Sequence, residues 1–413
     1  MLENLERETT TALRSLCEGQ TRVPEAEWFL KEIYAHFSPR TLKEKKPELI
    51  VLGEDFPWEL AWSFGAVPYY ILGGSLETSR WADALLPRDA DPVSRSACGY
   101  LLNTRFNLAE NALIVTTLCS DNRRKPVGLL RDSGLHVEAA DIPPGCDQEA
   151  AREIRAEELL HIAQAMERHT GHPLRSGALN TAIRQRQRIR KGIRSFEQAV
   201  ADNPGCLSAP LCRLILESIW YTEAPEHWLW RLEHMTKAVR DWRKDRYTPA
   251  DARPGILLAG SPVLFPNVKL PLLFESAGLR LTALADPVSI RMNLPGPRPG
   301  RFRRVNTLVR ELAAAAPTLD VSGSQTVNRG LQAAVRELLE LRQIDGIVYH
   351  VLKGQIEFDF ELSAIEAIAG EFGLPVFRLE TDYQPQDVEQ LRIRVEAFAE
   401  MLRQNRMEGA RPA

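Results

Sequence analysis

Short apolar runs bounded by glycine, proline and charged residues alternate along the chain with stretches whose apolar positions recur at helical spacing. After the charged segment Lys43 to Lys46, Glu48-Leu-Ile-Val-Leu52 reads as a strand closed by Gly53. Pro57 to Gly65 follows as helix, Pro68 to Leu72 as strand, Asp91 to Leu102 as helix, and Ala112 to Thr116 and His136 to Ala140 as strands. This alternation predicts parallel strands joined by crossover helices. The same pattern restarts at Gly255 to Gly260, with a helix from Asn267 to Gly278 and a strand from Arg280 to Ala285. Asp345 to Leu352 and Pro375 to Leu379 read as two further buried strands, with Phe360 to Phe372 as the helix between them and a long helix from Asp387 to Arg403 at the end. Ahead of the first pattern stand two helical stretches, one with Leu13, Leu16 and Cys17 on a single face and one from Glu25 to Phe37. Between the patterns, Glu149 to about Asp251 keeps helical periodicity without a strand.

The predicted fold class is α/β, with two Rossmann-like parallel-sheet domains. The expected organisation is a helical lead-in (residues 1–46), a first α/β domain (47–148), a helical segment (149–252), and a second α/β domain with its C-terminal helix (253–413). A length of 413 residues already argues for more than one core. Hydrophobic residues at 44% and charged ones at 26% place the chain among globular proteins. A formal net charge of −3 gives no overall pull toward nucleic acid or an anionic membrane. No run reaches the roughly 18 apolar residues of a membrane span, and the first residues are too polar for a signal peptide, so the expected location is cytoplasmic. Six cysteines are too sparse for a disulfide framework, and none are spaced as C-x-x-C. A metal site would have to be assembled from distant segments.

In open parallel sheets the functional crevice lies beyond the carboxyl ends of the strands. That rule selects Gly53-Glu54-Asp55, Gly73-Gly74-Ser75, Cys119, Gly260-Ser261, Lys353-Gly354-Gln355 and Glu380-Thr381-Asp382. Gly260-Ser261 is expected to open onto a helix, whose first N–H groups could hold an anion, although a tight strand-to-helix turn is the preferred reading. Cys119 falls in a polar loop between strand and helix and is a candidate metal ligand or reactive thiol. Cys98 lies inside a helical stretch and reads as core or ligand, Cys17 and Cys212 as core, and Cys146 and Cys206 as either. The basic run Arg184 to Arg194 is a solvated helix face or a landing site for phosphates. His169 and His172 read as a helix end, and Pro295 to Arg304 as a mobile surface loop.

Several segments, in order, resemble the 2-hydroxyacyl-CoA dehydratase family, which includes the benzoyl-CoA reductase subunits. They include Gly53-Glu-Asp-Phe-Pro-Trp-Glu59, Leu86-Pro-Arg-Asp-Ala-Asp-Pro92 with Arg95-Ser96, Thr116-Thr-Leu-Cys119, Ala259-Gly-Ser-Pro262, and Gly373-Leu-Pro375 with Glu380-Thr-Asp-Tyr383. His350-Val-Leu-Lys-Gly-Gln-Ile-Glu-Phe-Asp-Phe-Glu361 leans toward the reductase side. The resemblance implies an acyl-CoA substrate, a related sister subunit, a [4Fe-4S] cluster between the domains, a cluster-bearing ATPase activator and ferredoxin as electron source. The chemistry implied is ATP-driven, low-potential reduction leading to dehydration of a 2-hydroxyacyl thioester or to ring reduction. Family cysteines would be expected at three places, which here read Asp91, Cys119 and Gln355. Cys119 is retained, and Cys98 is a possible substitute ligand. Glu54, His350, Lys353 and Glu357 are candidate proton donors or carbonyl-polarising groups, and Gly260 and Ser261 candidate cofactor-binding residues. The alternative is a sister subunit or scaffold that kept the fold without a cluster of its own.

Overall fold

The structure is a computed structural model, and it describes residues 2–18, 23–38, 49–53, 55–108, 112–118, 121–141, 143, 149–242, 253–293, 295–300, 303–315 and 328–409. In the first half of the chain lie the strands β1 (Leu49–Leu52), β2 (Tyr69–Ile71), β3 (Leu113–Leu118) and β4 (Val137–Asp141). The second half carries β5 (Gly255–Gly260), β6 (Arg280–Ala285), β7 (Gly346–Leu352) and β8 (Val376–Thr381). They form two four-stranded sheets ordered β2-β1-β3-β4 and β6-β5-β7-β8, with parallel pairing throughout and the same strand path in each. The predicted two-sheet α/β architecture is therefore present. All residues of β1, β5 and β7 are buried, which is what near-continuous Ile, Leu and Val runs covered on both faces require. In the second sheet the register sets Gly260 beside His350 and His350 beside Leu379.

One large apolar cluster joins the helices Leu2–Cys17 and Ala26–Phe37, the first sheet, and the middle helices Glu149–Thr170, Ser176–Asp202, Ala209–Glu217 and Pro225–Trp242. The helix Val305–Ala315, although it follows β6 in the chain, buries Leu308, Val309 and Leu312 in this same cluster and packs on Glu149–Thr170. Two smaller clusters cover the second sheet, one under Arg329–Leu341 and Leu362–Glu371 and the other under Lys269–Ser276 and Val388–Gly409. Arg213 ties the middle helices to this half. Its Nη2 lies 2.9 Å from Asp286 Oδ2, its Nε lies 3.6 Å from Glu217, and it donates to the Ser289 hydroxyl.

Several expectations need correction. The helix read from Phe360 is preceded by a 3-10 turn over Ile356–Glu361, where Tyr349 donates to the Phe358 carbonyl at 2.6 Å and Arg378 holds Asp359 at 2.8 Å. Cys17 is exposed, because the helix Leu2–Cys17 turns Leu5, Thr9, Ala12 and Leu16 inward instead. The basic run is not one solvated face: Arg188 pairs with Glu226 at the surface, whereas Arg186 is buried. Nor is the loop from Pro295 free, since Gln187 donates to the Pro297 carbonyl at 3.0 Å and Gly300 N–H to Asn180 at 2.9 Å. No helix among the described residues is long and apolar enough to cross a membrane.

Candidate functional site

The loops that leave the carboxyl ends of the two sheets meet along a seam. After β2, the Gly73 carbonyl accepts a hydrogen bond from the Tyr383 hydroxyl at 2.8 Å, and a Cβ on Gly74 would stand 2.2 Å from the Phe265 carbonyl oxygen. After β7, Gly354 has φ +87°, and a Cβ there would lie 2.7 Å from the Asp91 nitrogen. Asn122 Nδ2 donates to the Gly354 carbonyl at 2.8 Å. Glycine is needed at 354 for both reasons, the left-handed backbone and the approach of the opposite loop.

Asp91 and Gln355, far apart in sequence, touch across this seam: Gln355 Nε2 donates to Asp91 Oδ1 at 3.0 Å. The same carboxylate caps the helix Pro92–Leu108, accepting from the Val93 and Ser94 N–H groups at 3.1 and 3.0 Å and from the Ser94 hydroxyl at 2.7 Å. Burial pushes the Asp91 carboxyl up, while the Ser94 and Val93 hydrogen bonds and the Arg123 charge hold it down. Gln355 is 7% exposed, and its Oε1 is buried without a hydrogen-bond partner among the described residues.

Beside this pair, Asp55 accepts from the Thr117 hydroxyl and pairs with Arg123 at 2.6 Å. The guanidinium lies over Gly53, where a Cβ would meet Arg123 Nη1 at 2.7 Å. A cavity of about 30 Å³ beneath is lined in part by Gly53, Val93, Ser94, Cys98 and Arg123. Cys98 is 1% exposed, and burial pushes its thiol up to about 11, which opposes the thiolate a metal requires. Cys119 and Glu54 lie outside the described residues.

His350 is 2% exposed on β7. Its Nδ1 lies 2.9 Å from the Ser261 carbonyl, which can only accept, so Nδ1 carries the proton and Nε2 accepts from the Thr381 hydroxyl at 2.8 Å. Burial, aided by the charge of Lys269, lowers its pKa to about 4. Gly260 and Ser261 form a crossing point between strands: Ser261 N–H donates to the His350 carbonyl at 2.8 Å, and the Leu352 N–H donates to the Ser261 hydroxyl at 2.9 Å. The expected helix does not open there; it starts at Lys269. Lys353 is exposed, 4.0 Å from Asp382, and Glu357 is half-buried in the 3-10 turn. The structure thus brings Asp91 and Gln355 together and sets Lys353 on the adjoining loop, while His350 and Ser261 are joined to each other within the second sheet. Arg123, Asn122 and Tyr383 were missed as seam residues. Their signal was position, each standing within a few residues of a strand's carboxyl end.

The described residues at the family's cysteine places do not fit a [4Fe-4S] cluster. Iron in such clusters is held by thiolate, whereas here a carboxylate is committed to a helix cap and an amide nitrogen points at it. Among the described residues no group of three or more His, Cys, Asp or Glu could hold a metal ion.

The family model for "2-hydroxyglutaryl-CoA dehydratase, D-component" matches residues 55–402. The Escherichia coli (strain K12) protein named "Putative dehydratase subunit YjiM" is 25% identical over 350 residues, covering 84% of this chain and 89% of that one. The (R)-phenyllactyl-CoA dehydratase beta subunit of Clostridium sporogenes is 20% identical over 359 residues, again covering 84% and 89%. The matched region takes in Gly73, Asp91, Asn122, Gln355 and Tyr383, and the chain belongs to the 2-hydroxyglutaryl-CoA dehydratase D-component family, among the 2-hydroxyacyl-CoA dehydratases.

Proposed function

We propose that the chain is a cluster-free subunit of a 2-hydroxyacyl-CoA dehydratase complex, working beside a related subunit that holds the [4Fe-4S] cluster. The observation that carries this reading is the Asp91–Gln355 hydrogen bond, which fills with an acid and an amide two places where the family pattern has thiolates. In this complex an ATPase activator fed by ferredoxin delivers the electron to the sister chain. The present chain supplies contacts to the acyl-CoA thioester. Lys353, exposed at the edge of the seam, is suited to the anionic CoA portion, with Glu54 and Glu357 as candidates to hold a proton near the thioester. His350, neutral and bonded at both nitrogens, would position Ser261 and Thr381. Dehydration is preferred to benzoyl-CoA ring reduction because both relatives are named as dehydratase subunits.

The test is anaerobic purification followed by iron and acid-labile sulfide analysis, on the wild type and on Asp91→Cys/Gln355→Cys. The wild type should carry essentially no iron, and the double variant should gain it if Cys119 completes the set. About four irons per wild-type chain would overturn the proposal. Co-purification with a related subunit separates the enzyme-subunit role from a scaffold.

A further inference from the structure

A second pocket, which shares no lining residue with the Asp91–Gln355 contact, lies where the segment after β1 meets the 295–297 loop and the helix Val305–Ala315. Its lining includes Phe56, Trp58, Glu59, Arg186, Arg291 and Leu312, and its volume is about 40 Å³. One water needs about 10–15 Å³ on this measure, so there is space for a few heavy atoms.

Arg186 is 4% exposed, with its guanidinium 4.3 Å from the centre of the Trp58 ring. Its Nη2 donates to the carbonyls of Arg291 and Met292 at 2.5 and 2.9 Å. Its Nη1 is buried and has no partner among the described residues, and the same is true of Trp58 Nε1. Behind Trp58, Trp220 and Tyr70 pack edge-on to its ring, each with a buried polar atom also lacking a partner. Buried donors without acceptors are rare in native proteins and point to a water or a ligand that completes them. Glu59 faces the pocket across Gly296, whose Cβ, if present, would stand 3.1 Å from Oε1. Arg186, Arg291 and Glu59 bring charge to the lining, and Phe56 and Leu312 offer it an apolar wall.

We propose that this pocket binds a carboxylate of two or three carbons, its oxygens accepting from Arg186 Nη1 and Trp58 Nε1 and its alkyl end lying against Phe56 and Leu312. This inference goes beyond the thioester reading above. Glu59 competes for the same positive charge, and burial raises its pKa against the lowering influence of Arg186 and Arg291. Arg186, Arg291 and Tyr70 are the charged or titratable groups coupled to it, and burial holds the Tyr70 phenol well above its usual range. Binding should therefore tighten as the pH falls and Glu59 takes up a proton.

The experiment is calorimetric titration of the full chain with sodium propionate, with sodium chloride at equal ionic strength as the control. Saturable binding to propionate alone is expected, weakened at least tenfold in Arg186→Met and several-fold in Trp58→Phe, which keeps the ring under the guanidinium. Glu59→Gln should bind more tightly than the wild type at pH 7 and lose the tightening that the wild type shows as the pH falls. The Trp58 and Glu59 variants carry the test if Arg186→Met does not fold. Absence of saturable propionate binding, or wild-type affinity in both Trp58→Phe and Glu59→Gln, overturns the proposal and leaves ordered water as the partner of these donors.

Discussion

At His350 a buried imidazole is held neutral by a carbonyl on one nitrogen and a hydroxyl on the other. Its folded pKa of about 4 lies below the usual 6.5, so the unfolded chain binds the proton more readily. The stabilisation is complete above pH 6.5 and is lost as the pH falls from there toward 4, at about 1.4 kcal/mol per pH unit. Urea unfolding at pH 7, 6 and 5 should show this loss in the wild type and a shallower slope in His350→Leu. Equal slopes would remove His350 from the account. That His350 belongs to a buried strand was legible in the sequence, because Gly-Ile-Val-Tyr-His-Val-Leu admits few other readings. Its partners were not, since Ser261 and Thr381 reach it only through the pairing of β7 with β5 and β8. The same limit hid the contact of Asp91 with Gln355: both positions could be picked out as departures, but no local rule says that they touch.

Elements were more readable than contacts. The strands fell where apolar runs placed them, Arg280 to Ala285 without change, and where a strand is buried throughout, as β1, β5 and β7 are, its composition has little freedom. The helix Val305–Ala315 shows what periodicity omits, namely which core an amphipathic face will join. The helix Ala209–Glu217 shows it too, for Arg213 leaves that helix to meet Asp286 at the end of β6. Removing the cation strands two buried carboxylates, Glu217 and Asp286, each 2% exposed or less. Arg213→Met should therefore cost about 3–5 kcal/mol in chemical denaturation. A loss below about 1 kcal/mol would mean that the helix is held by its apolar face alone.

For the molecule as a whole, the two sheets share a strand order and turn their loops toward one another, so the seam is where changes in either half are felt. Gly354 sets its spacing. A methyl group at that position meets Asp91 backbone at 2.7 Å on a left-handed residue, and neither loop can yield by rotating a side chain. Gly354→Ala should destabilise the chain by about 1–3 kcal/mol and raise amide hydrogen exchange at Val93 and Ser94, whose N–H groups bond Asp91. Unchanged exchange there would show that the two halves accommodate strain separately.

The Asp91–Gln355 contact also constrains how such a chain could change. A thiol at 91 alone would strip the helix of its cap and leave the buried Gln355 amide without its acceptor, and a thiol at 355 alone would leave Asp91 short of a donor. Each single step costs about 1–3 kcal/mol before any iron could repay it. The two positions are therefore energetically epistatic, and a seam of this kind is guarded by a stability valley that only a paired replacement crosses.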